Sequence, residues 1–432
     1  MVNTKHDANT YECVQIGRKG YQREIYDGNL LYESFRKASK GSNWKPDVQR
    51  FEMTWLLGIT DIQQELKDKA YEFDKVKEFI LHERGKIRAI SSETIEDRIV
   101  EHALCDEKLV PAVQRFLIYD NGASLENKGI DFTRKRLVRH LQNYYRKNGS
   151  NEGYILLIDF TKYYDNVQHE KLYRQFKKYV FDDYSLWLFS EILKDSRVDV
   201  SYMTDEEYVR CMTQVFNSLE YRKLDKSVLT RDKFMSKHLD IGKQSAQISG
   251  VTYRTPIDNY VKIVKGLHEY GAYMDDSYAI HESKAYLENL LKDIIKIADE
   301  YGITINRKKT RIVKLSSYWR FLQIQYSLTE TGKIIKKINP KRLSTMRHRM
   351  KAVAPKVTKT EFTNWYKSWF KGNYKIMSKL QRENMDKLFN ELLKEAKDVH
   401  DNSYGWNKIG KPRYEWNELC QLYENRRINF YR

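Results

Sequence analysis

Tyr154-Ile155-Leu156-Leu157-Ile158-Asp159 and Tyr273-Met274-Asp275-Asp276 are the two stretches on which the reading of this chain turns. The first is the most strand-like run in the sequence, apolar throughout and ending in a carboxylate. The second lies between short apolar stretches and sets two adjacent carboxylates at the tip of a predicted β-hairpin. Paired aspartates at a turn are, alone, ordinary turn chemistry. If the strand and the hairpin are neighbours in one antiparallel sheet, however, Asp159, Asp275 and Asp276 converge.

Three carboxylates at one point repel one another unless cations join them. In-line phosphoryl transfer has that requirement: two divalent ions about 4 Å apart activate a 3′-hydroxyl and neutralise a leaving pyrophosphate. Magnesium takes hard oxygen ligands and keeps several waters, so a few aspartates and the substrate phosphates suffice. The expected cofactor is two Mg2+ ions, with Mn2+ as a substitute.

The 432 residues carry 77 Lys and Arg against 59 Asp and Glu, a net charge of +18, which points to a polyanionic partner. Hydrophobic residues make up 41%, enough for a packed core, and 32 tyrosines raise the aromatic share to 13%. Aromatic rings among basic side chains suit a groove for single-stranded nucleic acid. Cys13, Cys105, Cys211 and Cys420 are scattered without paired spacing, which argues against a zinc site or a disulfide framework. No apolar run approaches a membrane span, and the N-terminus is polar; a reducing cytoplasm is the expected setting.

Outward from the two stretches, helices are expected over Leu30 to Lys37 and Ile62 to Phe79, and a strand over Lys86 to Ile90 with Ser91 and Ser92 as capping candidates for the next helix. Ile95, Ile99, Ala103 and Leu104 share one face of that helix. A two-glycine loop at 121–129 precedes a basic helix with Arg134, Lys135, Arg136 and Arg139. Residues 181–240 are charged and weakly patterned and read as an insertion. Gly242 to Gln247 reads as a polar loop, and Leu287, Leu290, Leu291, Ile294 and Ile297 as an amphipathic helix closed by Gly302. Strands are expected at Ile303 to Ile305, Ile312 to Leu315 and Phe321 to Tyr326. From about Lys336 the chain turns helical, basic and then aromatic through Trp365, Tyr366, Trp369 and Phe370.

With these motifs in order, the chain resembles a reverse transcriptase over about residues 85–330. Asp159-Phe160-Thr161-Lys162-Tyr163-Tyr164-Asp165 is similar to the first palm motif of that family, and Tyr273 to Asp276 to its catalytic hairpin. Gly85-Lys86-Ile87-Arg88 resembles the fingers strand, and residues 121–129 the Ala-Ser and Lys-Gly element of bacterial members. Gly242 to Gln247 is similar to the template and nucleotide loop, Gly302 to Thr310 to the motif whose lysine lies near the leaving phosphates, and Trp319 to Gln323 to the primer grip.

The resemblance implies an α+β right-hand polymerase: an N-terminal lead-in (1–80), fingers and palm with an antiparallel sheet on helices (81–330), and a basic helical thumb (331–432). It implies Asp159, Asp275 and Asp276 as catalytic residues, and these with Phe160 as the metal site. Lys86, Arg88, Tyr164, Gln247, Lys308 and Lys309 would contact the nucleotide, Tyr164 as a steric gate against a 2′-hydroxyl. Gly242, Gln244, Tyr273, Met274, Phe321 and Leu322 would contact template or primer.

Ala246 stands where the family usually has Ser, Asp240-Ile241 where Pro-Gln is common, and Gln323 where the grip often has Gly. These departures and the extended middle segment favour the defence-associated bacterial group, with an RNA template that is noncoding, a cDNA product and dNTPs as substrates; a homo-oligomer or partner protein stays open. The rival readings are a retron-type or diversity-generating enzyme, a template-independent or protein-primed DNA polymerase, an RNA-dependent RNA polymerase, and a catalytically idle RNA-binding module.

Overall fold

The computed structural model describes residues 23–73, 77–83, 86–221 and 224–398. Cys13, Gly85, Cys420 and residues 399–432 of the expected thumb lie outside these, as does the side chain of Lys86. The first helix, Gly28–Ala38, is capped by Asp27, whose carboxylate accepts from the Leu30 N–H at 2.8 Å. Pro46–Met53 and Trp55–Lys67 pack beside it. The helix expected to reach Phe79 stops at Lys67, because Lys69 takes a left-handed φ of 53°. Phe79 instead lies in strand β1 (Lys77–Glu83), antiparallel to β2 (Lys86–Ser92). Ser91 and Ser92 extend that ladder opposite Glu78 and Lys77, and the capping role passes to Thr94, which accepts from Asp97 N–H at 3.2 Å to start Ile95–Leu104.

The remaining strands are β3 (Tyr154–Ile158), β4 (Val198–Asp199), β5 (Phe234–Met235), β6 (Tyr270–Tyr273), β7 (Asp276–His281), β8 (Arg311–Lys314), β9 (Trp319–Phe321), β10 (Ile324–Leu328) and β11 (Ile334–Ile338). The central sheet has the order β6-β7-β3-β8, antiparallel throughout. β3 buries both faces. Leu156 and Ile158 enter a core with Ile99, Val251 and Ile294, while Ile155 and Leu157 enter a second with Leu141, Tyr278 and Trp319. Two-sided burial is why this strand reads as continuous apolar sequence rather than as alternation. The helix Lys284–Glu300 lays Leu287, Leu290 and Ile294 against the sheet, and Gly302 follows with φ 70°.

Four expectations change here. Ile303 to Ile305 forms no strand, only a bridge from Ile305 to Phe160. The run Phe321 to Tyr326 is broken by a turn, Leu322 at φ 44° and Gln323 at φ 71°, into β9 and β10. Lys336 and Lys337 belong to β11, and the terminal helices start at Pro340. The polar loop expected to run to Gln247 is helical from Gln244 onward, in Gln244–Tyr253.

The inserted unit is smaller than the expected 181–240. Asp183–Asp195 is a helix whose Leu186, Leu188, Phe189 and Ile192 join the main core. Only the following segment, from Val198 to Met235, builds a separate small core around Val200, Met203, Cys211 and Phe216, bordered by β4 and β5. This unit is fastened to the residues just after Tyr164. The Asn166 side chain accepts from Phe216 N–H at 2.9 Å and donates to Phe216 O at 3.1 Å, and the buried Lys237 ammonium donates to the carbonyls of Cys211, Met212 and Gln214.

After β11, Pro340–Val353, Lys359–Asn373 and Lys379–Leu393 close on a core of Met346, Met350, Phe362, Tyr366 and Met385. Thr358 and Ser378 start the last two helices with reciprocal capping bonds to Glu361 and Gln381. The architecture is α+β, a right hand with fingers, palm sheet and helical thumb. Among the described residues no helix is long and apolar enough to cross a membrane.

Because Asn166 satisfies both backbone groups of buried Phe216, Asn166→Ala is expected to destabilise the 198–235 unit by about 1–3 kcal/mol while β3 stays protected. Hydrogen exchange of the amides between Val200 and Phe216, compared with those of β3, checks this.

Candidate active site

The pairing of β3 with β7 sets Ile158 opposite Ser277, so the next residue of each strand at that end, Asp159 and Asp276, stand beside one another. Tyr273 pairs with Asp276 across the β6–β7 turn, leaving Met274 and Asp275 at its apex, Met274 with φ 51°. Asp159 is fixed on its other side: its carbonyl accepts from Asn306 N–H at 2.8 Å and its N–H lies 3.3 Å from Thr310 Oγ1. Asp159 and Asp276 line one cleft of about 300 Å3 with Lys308, Lys309, Arg311 and Arg320.

Backbone convergence is thus achieved, but the side chains do not meet on a common point. Among the described residues no three acidic, histidine or cysteine groups form a metal-holding cluster. The Asp159 carboxylate is turned to the Lys309 ammonium, with both oxygens 3.0 Å from Nζ. Asp275 does not line that cleft and, after burial, is the next cause of the upward shift of the Tyr164 phenol.

Tyr164 is half-buried, its hydroxyl 3.6 Å from Met274 Sδ, and its ring lies over Gly250. A Cβ at Gly250 would meet that hydroxyl at 3.0 Å, so a larger residue there would push the ring by a few tenths of an ångström. Tyr163 is buried and donates to Gly250 O at 2.6 Å. Phe160 packs on Tyr163, and its bridge to Ile305 is made by the Asp159 carbonyl and the Thr161 N–H, which keeps the Phe160 carbonyl outside those bonds.

Phe321 and Leu322 are largely buried, Phe321 edge-on to Tyr278, and Arg134 donates to the Leu322 carbonyl at 2.7 Å. Gly242 has φ 126°, and a Cβ there would lie 2.6 Å from the Ser91 carbonyl, so this loop presses on β2. Gln247 is exposed, whereas Gln244 donates to Asp106 at 2.7 Å and is committed inside the protein. Lys308 is exposed in the cleft, and Arg88 is half-buried in β2.

Sequence reasoning missed the polar layer under these motifs. Lys243, almost wholly buried, is bonded to Asp195 and lies 3.6 Å from both Glu93 and Asp240. Burial, then Glu101, pushes the Glu93 carboxyl up to about 10, against the pull of Lys243. His238 lies 3.0 Å from Asp165 and 3.3 Å from Asp240, and its carbonyl accepts from His169 Nε2 at 2.5 Å. Arg254 is also buried, forked onto Asp258. The sequence carries its signal: an Arg and an Asp four residues apart in an otherwise uncharged helical run.

The family model for reverse transcriptase (RNA-dependent DNA polymerase) matches residues 74–326. The chain belongs to the reverse transcriptases. No curated protein matches it. Among solved structures it is similar to telomerase from Candida albicans, in a complex with a fragment of telomeric RNA, at 12% identity and a TM-score of 0.41; the match covers 81% of this chain and 60% of that one. In this reverse transcriptase the donor set fits divalent cations. Asp159, Asp276, Asp275 and the Phe160 carbonyl are hard oxygens, and a cation, the Lys309 ammonium, already stands against the first of them.

His169 gives the layer beneath the site a pH dependence. Burial lowers it from 6.5 to about 4. A depressed value in the folded state means stability that is present above 6.5 and lost as pH falls toward about 4, at up to ~1.4 kcal/mol per pH unit. Denaturant unfolding of His169→Gln between those limits is expected to show a flatter pH profile than wild type.

Proposed function

We propose that this chain copies RNA into DNA from dNTPs, with Asp159, Asp275 and Asp276 as the catalytic carboxylates. The observation that carries the reading is the adjacency of Asp159 and Asp276 on paired strands at a cleft lined with cations. Mg2+ held by Asp159, Asp275, Asp276 and the Phe160 carbonyl would supply charge neutralisation and 3′-hydroxyl activation. The chain's own contribution is placement. The β3–β7 ladder sets the carboxylates, the β9–β10 turn faces them across the cleft, and Lys308 and Lys309 offer positive charge to a triphosphate.

Tyr164, packed against Met274 and over Gly250, offers a rigid ring for selection against a 2′-hydroxyl. The thumb carries a second cleft, about 480 Å3, lined by Arg347, His348 and Lys351, which suits the phosphates of a template–product duplex.

The finer reading is a cytoplasmic role in bacterial anti-phage defence with an associated noncoding RNA as template. What supports it is divergence: Asp240-Ile241 and Ala246 in the template loop, and the additional 198–235 unit fastened behind Tyr164. Sequencing the nucleic acid that copurifies with the protein tests it; a defined RNA with a complementary DNA supports the reading, and random cellular RNA counts against it.

Asp159→Ala and Asp275→Ala are each expected to abolish primer extension on an RNA template while RNA affinity, measured by filter binding, is retained. Extension at wild-type rate in either variant would remove the site assignment. Tyr164→Ala is expected to lower the preference for deoxy- over ribonucleotides by on the order of tenfold or more, read from single-nucleotide incorporation with dNTP and rNTP in competition.

A further inference from the structure

Under the catalytic turn lies a side chain that the proposed reaction does not use. Arg254, between the helices Gln244–Tyr253 and Thr255–Asn259, is fully buried. Its Nη1 donates to the carbonyl oxygen of Met274. Nε and Nη2 fork onto the Asp258 carboxylate at 3.1 and 3.0 Å, and Nη2 also donates to the Tyr270 hydroxyl at 3.2 Å, which itself donates to Asp258 at 2.6 Å. The guanidinium carbon sits 5.3 Å from the centre of the Phe160 ring. One planar cation therefore touches the residue after Asp159, the residue before Asp275, and the strand that leads into the turn.

Stability is a poor account of this arrangement. A buried ion pair loses its hydration, and apolar residues of equal volume commonly replace such pairs without loss. Met274 meanwhile holds a left-handed φ of 51°, a conformation that costs a residue with a Cβ roughly 1–2 kcal/mol. The two-residue turn between the paired Tyr273 and Asp276 calls for that conformation, and the Arg254 donor at the Met274 carbonyl braces it. Burial disfavours the guanidinium charge, but Asp258 more than offsets it, so the donor is permanent.

We infer that Arg254 is a positioning residue: it sets the Met274–Asp275 turn against the Asp159 strand so that the carboxylates can close on divalent cations. The inference rests on the polymerase reading above. Lysine retains the charge but lacks the fork, and Tyr270→Phe removes one of the groups bracing it.

The test measures Mn2+ affinity by electron paramagnetic resonance, dNTP incorporation kinetics on a primed RNA template, and folding by circular dichroism, in wild type, Arg254→Lys and Tyr270→Phe. Folded Arg254→Lys is expected to bind Mn2+ about 10- to 100-fold more weakly and to lose kcat by a similar factor. The KM for primer–template should change by less than about threefold. Tyr270→Phe should shift both quantities in the same direction by less. A folded Arg254→Lys protein with wild-type Mn2+ affinity and kcat overturns the inference. If Arg254→Lys does not fold, Tyr270→Phe decides, and wild-type Mn2+ affinity there overturns it equally. A wild-type protein that extends no primer removes the polymerase reading alone, because the Mn2+ comparison still supports or refutes Arg254.

Discussion

The ladder between β3 and β7 is the constraint on which the rest of this molecule depends. Side chains on a strand alternate between two faces, so a slip of one residue would exchange Leu156 and Ile158 with Ile155 and Leu157. Each pair serves a different core, and the slip would also carry Asp159 away from Asp276. The apolar packing on both sides of β3 therefore sets the chemistry at its end. No polar contact at the cleft needs to specify the register, because two hydrophobic cores already do so.

Charge is then arranged in layers around that fixed point. At the cleft the cations are exposed lysines and arginines, with Lys309 held against Asp159. Beneath it they are buried and committed, Arg254 to Asp258 and the Met274 carbonyl, Lys243 to Asp195 and its acidic neighbours. Burial, then Glu101, holds the Glu93 proton on far above the usual carboxylate range, against the pull of Lys243. The exposed cleft and the buried base beneath it use the same residue types at different depths.

How much of this was legible in the sequence follows from where each signal resides. β3, the β6–β7 turn and the helix Lys284–Glu300 could be read because their patterns are local: an apolar run, adjacent acids at a turn, a stripe with a terminal glycine. Ser91 and Ser92 do not cap, because pairing with Glu78 and Lys77 outweighs their capping preference, and Ser91 N–H further bonds Ile241 O. The helix Asp183–Asp195 reads as insertion from sequence because Leu186, Phe189 and Ile192 find their partners far away in the chain. At the site, the aspartates can be named from their flanks, whereas the turning of Asp159 to Lys309, the bonds of Asn166 and Arg134, and the reach of Arg254 to the Met274 carbonyl are contacts across many residues. Composition and periodicity carry no trace of such meetings.

The three-stranded sheet β11-β10-β9 has a mechanical consequence. One edge, β11, runs into the terminal helices through Asn339, which caps Pro340–Val353; the other, β9, ends at Phe321 and Leu322 beside the cleft. Hydrogen-bonded strands transmit displacement with little slack. A displacement of those helices would therefore pull on the wall facing the aspartates, so the position of the helices and the aperture of the cleft are geared together through one short piece of sheet.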